Sequence, residues 1–438
     1  MTIPILNWSS LSAEQRRQAL RRPVQQSTPA FQESVRDIIR EVRARGDAAL
    51  LEFTRRFDGV ALTAIEVSTA EFAAAETALD SEKRIAIDRA IANVRRFHEA
   101  QVGAPLRVET ARGVVCERHF HPIDAVGLYV PAGVAPLPST AIMLAVPARI
   151  AGCPTRIICT PPRPDGTADP AVLTIANLCG VRRVFKLGGA QAIAAMAYGT
   201  QSVPKVDKVF GPGSSWVTAA KLQVANDPEG AALDLPAGPS EVLVIADATA
   251  RAEFVAADLL AQAEHSSDAQ AIFVTTSSAL AEATAAQVEK QMQRLGRADT
   301  LRKSLEHARL VVVDTIDTAI EINNTYAPEH LILQVANARD WLPKVRNAGS
   351  VFLGAWTPET VGDYCSGTNH VLPTYGFARA YSGLSLHDFV RRMTVQELTS
   401  DGLRDLGPTA ITLAMLEGLD AHANAVQVRL AQLERGRA

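Results

Sequence analysis

A carboxylate and an imidazole stand side by side in the segment Asn324-Thr325-Tyr326-Ala327-Pro328-Glu329-His330, just ahead of the apolar run Leu331-Ile332-Leu333. Histidine is the side chain best placed to move a proton near neutral pH, and an adjacent carboxylate can orient it or activate water. A polar pair that merely opens a strand reads the same way, so the pair needs support from elsewhere in the chain. Some comes from Gly362-Asp363-Tyr364-Cys365-Ser366-Gly367-Thr368-Asn369-His370, which follows the apolar stretch Ser350–Leu353. Glycine-rich loops dense in Asp, His, Asn and Ser serve a core poorly and a reaction well. The stretch from Asn324 to His370 is the first candidate for an active site.

The segment Ala261-Gln262-Ala263-Glu264-His265 closes a helical pattern. Gln262 and His265, three residues apart, share one face and could ligate one metal ion, although most such pairs are only surface polar residues. Asp363 and a further imidazole from His330, His370 or His422 would complete a site. A nitrogen and oxygen donor set without thiolate suits zinc or manganese and an open, catalytic position. His98 and His307 lie in patterns that read as solvent faces, and His387 reads as a surface residue.

Leu187-Gly188-Gly189-Ala190-Gln191 is a strand that breaks at paired glycines and enters a helix, a geometry that offers helix N-terminal amides to an anion such as a pyrophosphate. Glycine pairs at such turns are often only packing devices. Two similar turns, Phe210-Gly211-Pro212-Gly213-Ser214-Ser215 and Tyr129-Val130-Pro131-Ala132-Gly133, end other strands and strengthen the case for a ligand crevice at one sheet edge.

The elements that must hold these residues are legible from periodicity. From Phe31 to Phe57 apolar positions recur at helical spacing up to a stop at Gly59, and a second amphipathic helix runs from Ser81 to about Ala100. Between Leu106 and Pro122 the pattern around Arg112-Gly113 predicts a β-hairpin. From Ala125 onward short apolar strands alternate with helices, the signature of parallel sheets covered on both faces. The spacing predicts strands at Ala125–Val130, Arg156–Thr160, Arg183–Leu187 and Lys208–Gly211. A second series is predicted at Glu241–Ala246, Ala271–Thr275, Leu310–Asp314, Leu331–Gln334 and Ser350–Leu353. Two α/β units joined at Leu235-Pro236-Ala237-Gly238-Pro239 are the economical reading. After Tyr381 the pattern is read as helical again, ending in a long segment from about Thr409 to Arg437 whose apolar face needs a partner.

Composition sets the frame. The 438 residues are 47% hydrophobic and 21% charged with a formal net charge of −3, values ordinary for a soluble globular protein and without sign of a general affinity for nucleic acid. The polar, arginine-bearing N-terminus lacks a signal-peptide run and no segment reaches membrane-spanning length, so the expected compartment is the cytoplasm. Five cysteines scattered without a CxxC pair argue against a disulfide framework and against a thiolate zinc knot.

On these residues the chain resembles the histidinol dehydrogenase family. The resemblance is carried by Gly127-Leu128-Tyr129-Val130-Pro131, Pro136-Leu137-Pro138-Ser139-Thr140, Gly188-Gly189-Ala190-Gln191-Ala192, Pro236-Ala237-Gly238-Pro239-Ser240-Glu241 and Gln262-Ala263-Glu264-His265. It continues through Tyr326-Ala327-Pro328-Glu329-His330, Ser366-Gly367-Thr368-Asn369-His370-Val371-Leu372-Pro373-Thr374 and Thr394-Val395-Gln396-Glu397.

The resemblance implies a zinc-dependent, NAD-linked enzyme that oxidises L-histidinol through L-histidinal to L-histidine with two NAD, the last steps of histidine biosynthesis. It implies a homodimer with shared active sites and one zinc per subunit, with no nucleic-acid or membrane partner. By the family's pattern Gln262, His265, Asp363 and His422 would ligate zinc, His422 coming from the other subunit. Glu329 and His330 would be the catalytic acid and base. Ser240, His370 and Glu417 would join these residues in contacting the substrate, and Tyr129, Gln191 and Ser214 would contact NAD. The family's usual residue after Gly-Pro-Gly is Asn; here it is Ser214, shorter and without an amide donor.

The fold implied is two Rossmann-like doubly wound α/β units with small helical extensions. Its expected division is an N-terminal extension over 1–24, a first α/β domain over 25–128 plus 240–384 carrying most active-site residues, a second, NAD-binding domain over 129–239, and a C-terminal helical extension over 385–438. A same-fold zinc and NAD dehydrogenase acting on another polar alcohol is the rival reading, and a non-catalytic zinc or nucleotide binder is another.

Overall fold

The structure is a computed structural model and describes residues 3–23, 28–132, 136–236 and 238–435. Gly133 of the first glycine turn, Ala237 of the expected hinge and the last residues of the expected C-terminal helix lie outside them. Among the described residues the first strands are β1 (Ile5–Asn7), β2 (Leu106–Ala111), β3 (Val114–Pro122), β4 (Ala125–Tyr129), β5 (Thr155–Thr160), β6 (Arg183–Lys186), β7 (Lys208–Phe210) and β8 (Ala232–Leu233). They are followed by β9 (Glu241–Ala246), β10 (Gln270–Thr275), β11 (Arg309–Val312), β12 (His330–Gln334), β13 (Ser350–Leu353) and β14 (Val390–Leu398).

Two parallel sheets result. One has the order β6-β5-β4-β7-β8 and the other the order β1-β11-β10-β9-β12-β13. Leaving aside the edge strand β1, both sheets place their own strands in the order third, second, first, fourth, fifth, the doubly wound order with a reversal beside the first strand. The two α/β units expected from the alternating pattern are present, with the Rossmann-like winding that the family resemblance implies. Strands β9, β10 and β12 are buried along their whole length, as strands covered by helices on both faces must be. Each nevertheless opens on a buried polar residue, Glu241, Gln270 and His330, and those three side chains lie at the amino edge of the sheet.

The single helix expected from Phe31 to Phe57 is interrupted. A helix over Pro29–Arg45 buries Phe31, Val35, Ile38, Ile39 and Val42, then ends at Gly46, whose φ of 55° lies in the left-handed region open to glycine. The chain resumes as Asp47–Phe53 and a wider turn over Thr54–Asp58. The helix over Pro29–Arg45 packs in one apolar core with Ile193 and Met196 of the helix Gly189–Tyr198, so it covers the five-stranded sheet.

The chain forms two compact units, one of Met1–Gln101 with Ile123–Phe389 and one of Val102–Pro122 with Val390–Ala438. The second holds an antiparallel sheet of order β14-β3-β2 and two helices, Ser400–Leu416 and Asp420–Arg435, that pack on one another. The region after Tyr381 is therefore not helical throughout as expected. Strand β14 pairs with all of β3, but its residues are exposed on both faces and so carry no alternation to betray a strand. His98 also departs from its expected solvent face: it is fully buried, with Nδ1 2.8 Å from the Val94 carbonyl.

Candidate active site

Glu329 and His330 are held by one residue's main chain. Strands β9 and β12 are neighbours with His330 opposite Val242, which brings the start of β9 beside Glu329 and His330. The Glu241 N–H donates to Oε2 of Glu329 at 2.9 Å, and the Glu241 carbonyl lies 3.2 Å from Nδ1 of His330. A carbonyl can only accept, so Nδ1 carries the proton and Nε2 is the atom free to gain or lose one. Nε2 points at Oδ1 of Asp363, 3.2 Å away. Glu329 and His330 are both buried, and the Glu329 Oε2 lies 3.7 Å from Nδ1.

Burial and neighbouring charge set the protonation. Burial pushes the Glu329 carboxyl up to about 7 against the pull of His330. Burial alone would lower His330, yet the negative charges of Glu329, Asp363 and Glu359 outweigh it and hold the imidazolium well above the ordinary histidine range. Asp363 shows the reverse balance: burial raises it, and the imidazoles of His330, His370 and His265 more than offset that, leaving it below the usual carboxylate value.

The metal-ligand reading can be tested on the donors themselves. Gln262 is completely buried at the end of the helix Ala252–Ala263, and neither its amide oxygen nor its amide nitrogen has a hydrogen-bond partner. An amide left unsatisfied in the interior costs stability unless something binds it. One turn on, His265 offers a ring nitrogen within 4.8 Å of carboxylate oxygens of Asp363 and Glu359, the one such cluster of three among the described residues. Nitrogen and oxygen donors gathered in this way fit a zinc ion with room for substrate.

Glu359 is not singled out by the sequence reading. It lies one helical turn before Asp363 on the helix Glu359–Tyr364, a spacing that puts both acids on one face and could have flagged it. Its carboxyl is buried without a hydrogen-bond partner, 4.0 Å from Nδ1 of His330, and burial pushes it up to about 8 against the pull of that imidazole. Thr140 is another: its Oγ1 stands 3.3 Å from Nε2 of His370, whose Nδ1 bonds the Asp363 carbonyl at 2.7 Å.

Beside this cluster runs a cleft of about 520 Å³ whose lining includes Tyr129, Gly189, Ser214, Ser240 and His265. Its walls are the carboxyl ends of β4, β6 and β7 and the amino ends of β9 and β10, so one sheet presents its usual ligand edge and the other its opposite edge. A smaller pocket touches Ser240, Glu329 and His370 together. The helices Gly189–Tyr198 and Ser215–Ala225 both start on the cleft, and neither is capped by the side chain of its own N-cap residue, Gly188 or Ser214. Uncapped amides suit an anionic cofactor. The hydroxyl of Tyr129 accepts from the Gly189 N–H at 3.0 Å, and Gln191 is buried in that helix's first turn. At Gly211, where φ is 120°, a Cβ would lie 2.1 Å from the Tyr129 carbonyl, so only glycine lets the two strand ends close.

The structure thus gathers Ser240, His265, Glu329, His330, Asp363 and His370 in the first compact unit, with Gln262 one turn from His265. Glu417 and His422 are exposed residues of the second unit, at the end of one helix and in the first turn of the next.

A family model described as Histidinol dehydrogenase matches residues 20–430. The histidinol dehydrogenase of Xanthomonas oryzae pv. oryzae is 58% identical over 426 residues, 97% of this chain and 99% of that protein. The histidinol dehydrogenase of Vibrio parahaemolyticus is 52% identical over 430 residues, covering 98% and 99%. The crystal structure of histidinol dehydrogenase from Elizabethkingia anophelis matches with a TM-score of 0.94 at 44% identity and covers 99% of each chain. Sheet order, buried acid and base, unsatisfied amide and near full-length similarity agree: the chain belongs to the histidinol dehydrogenase family.

Proposed function

We propose that Glu329 and His330 handle the protons of the reaction and that Gln262, His265 and Asp363, with His422 of the partner subunit, hold the zinc ion. The activity is the family's own: a zinc-dependent, NAD-linked, four-electron oxidation of L-histidinol through L-histidinal to L-histidine, in histidine biosynthesis. Bound zinc supplies a template for the amine and imidazole of the substrate. Bound NAD would supply the hydride acceptor for each of the two oxidations.

With a cation held by Asp363 offsetting the negative charge that keeps His330 protonated, the neutral imidazole would take the hydroxyl proton at Nε2 while its Nδ1–H stays on the Glu241 carbonyl, so the ring need not turn between steps. Removing that proton makes hydride loss easier, because the alkoxide expels it more readily than the alcohol does. Glu329, fixed by the Glu241 N–H, accepts a proton from the water that adds to the aldehyde. Each round of oxidation releases one proton through these two groups, and ionisation of the product acid releases another. Ser240, His370 and Glu417 contact the substrate, and Tyr129, Gln191 and Ser214 contact NAD on the domain spanning 129–239. Keeping the aldehyde in a buried site prevents its loss between steps.

A homodimer fits the exposed side of the second unit, and the cytoplasm is the compartment we propose for it. Leu398, Leu413, Met415, Leu416 and Leu419 are exposed there, more apolar surface than an isolated tail carries without a partner. Among the described residues no helix is long and apolar enough to cross a membrane.

The observation that carries the proposal is the burial of Glu329 and His330 on one backbone, with Asp363 at 3.2 Å from the imidazole. Steady-state NADH formation with L-histidinol, against a panel of other amino alcohols, tests it in wild type and in His330→Asn.

A further inference from the structure

Arg22 reaches the acid and base from the far end of the chain. Its guanidinium pairs bidentately with the buried Glu241 carboxylate, through Nε on Oε1 and Nη2 on Oε2, the latter at 2.8 Å. The same Nη2 donates to the Tyr326 carbonyl at 2.8 Å and to the Ala327 carbonyl at 3.3 Å, and the guanidinium lies over the Tyr326 ring, 3.8 Å from its centroid. Pro23, the next residue, accepts the Tyr375 hydroxyl at 2.7 Å. Glu241 in turn accepts the Tyr375 N–H on Oε1 at 2.8 Å.

These bonds fall on strained backbone. Among the described residues the non-glycine positions with positive φ are Ala327, Asn337 and Tyr375, with Ala327 at 54° and Tyr375 at 58°. Side chains disfavour that region, so it persists only where surrounding contacts enforce it. The Arg22–Glu241 pair touches both the Ala327 and the Tyr375 corners. Ala327 is two residues before Glu329, and Glu241 holds Glu329 and His330 by its main chain.

We infer that Arg22 is a positioning residue for the reaction, setting the Glu329–His330 geometry through Glu241 and the Ala327 corner. This rests on the assignment of Glu329 and His330 as the acid and base. A buried ion pair is a poor way to gain stability, since apolar replacements of like size often serve as well, but a bidentate fork fixes direction as well as distance. Lysine keeps the charge and loses the fork, so it separates placement from charge.

The test uses the full-length, zinc-loaded enzyme with L-histidinol and NAD. Arg22→Lys lowers kcat by about tenfold or more, because small displacements of catalytic groups are costly, while zinc content and KM for histidinol stay within about twofold of wild type. Arg22→Ala loses more turnover, and millimolar guanidinium restores part of it. Should the alanine variant fail to fold, the lysine variant decides alone. A kcat for Arg22→Lys within about twofold of wild type, or a loss that only tracks zinc content, overturns the inference. His330→Asn runs alongside: if it is inactive while Arg22→Lys is unimpaired, only the role of Arg22 falls, whereas an active His330→Asn removes the assignment beneath it.

Discussion

Nε2 of His330 stands 3.2 Å from Oδ1 of Asp363, so the nitrogen assigned to proton transfer abuts a carboxylate assigned to the metal. The two functions are therefore neighbours but not the same atoms, and mutations should separate them.

His330→Asn is expected to cut kcat by roughly 10²- to 10⁴-fold, the usual worth of a positioned acid or base, and to leave zinc content nearly unchanged. His265→Ala is expected to lose the metal. Metal analysis after dialysis and steady-state NADH formation check both, and equal zinc content in the two variants contradicts the separation.

Subunit sharing has its own signature. In a mixture of His265→Ala and His422→Ala subunits, each hybrid dimer regains one intact site, so exchange of inactive parents recovers on the order of a quarter of wild-type activity. Activity that stays absent after verified exchange would place His422 outside the site.

Much of this site was legible in advance. Glu329 beside His330, Asp363 and His370 within one glycine-rich stretch of sequence, and Gln262 one turn before His265 are local patterns, and β9, β10 and β12 run apolar because both their faces are covered. Other features leave no local trace. Arg22 and Glu241 are 219 positions apart, and nothing near Arg22 marks it off from the other arginines of its segment. Strand β14 is exposed on both faces, so its pairing with β3 supplies the order that its own pattern does not. That Glu329 and His330 lie at the amino edge of their sheet beside a cleft shared by two sheets is a relation no single segment encodes.

Ser214 lines the cleft at the start of an uncapped helix, where the family's usual residue is Asn. Ser214→Asn adds an amide worth about one hydrogen bond, so KM for NAD should fall roughly two- to tenfold with kcat little changed. An unchanged or higher KM would show that the cofactor does not use this position.

Asp58 carries the pH dependence of stability at the same cleft. Its Oδ2 is buried without a partner, and burial pushes the carboxyl from 3.8 up to about 6. Below 3.8 both folded and unfolded chains are protonated at this group and it has no effect. As pH rises toward about 6 the unfolded chain ionises first, so the folded state loses stability, and above about 6 the loss is complete. Because the side chain is partly exposed, screening holds the effect to about 1 kcal/mol. Asp58→Asn removes it, so the melting temperature of the variant relative to wild type should be higher at pH 8 than at pH 4.5. A gap that is constant or narrows with pH contradicts the sign.

The most direct test is an anomalous difference map at the zinc absorption edge from crystals of the wild-type dimer grown with histidinol. The expected peak lies among the Gln262 amide oxygen, the His265 imidazole and the Asp363 carboxylate, with His422 of the partner subunit completing the shell and Nε2 of His330 facing the substrate hydroxyl. A peak bound by His265, Asp363 and Glu359, with the Gln262 amide turned away and His422 absent, would contradict it.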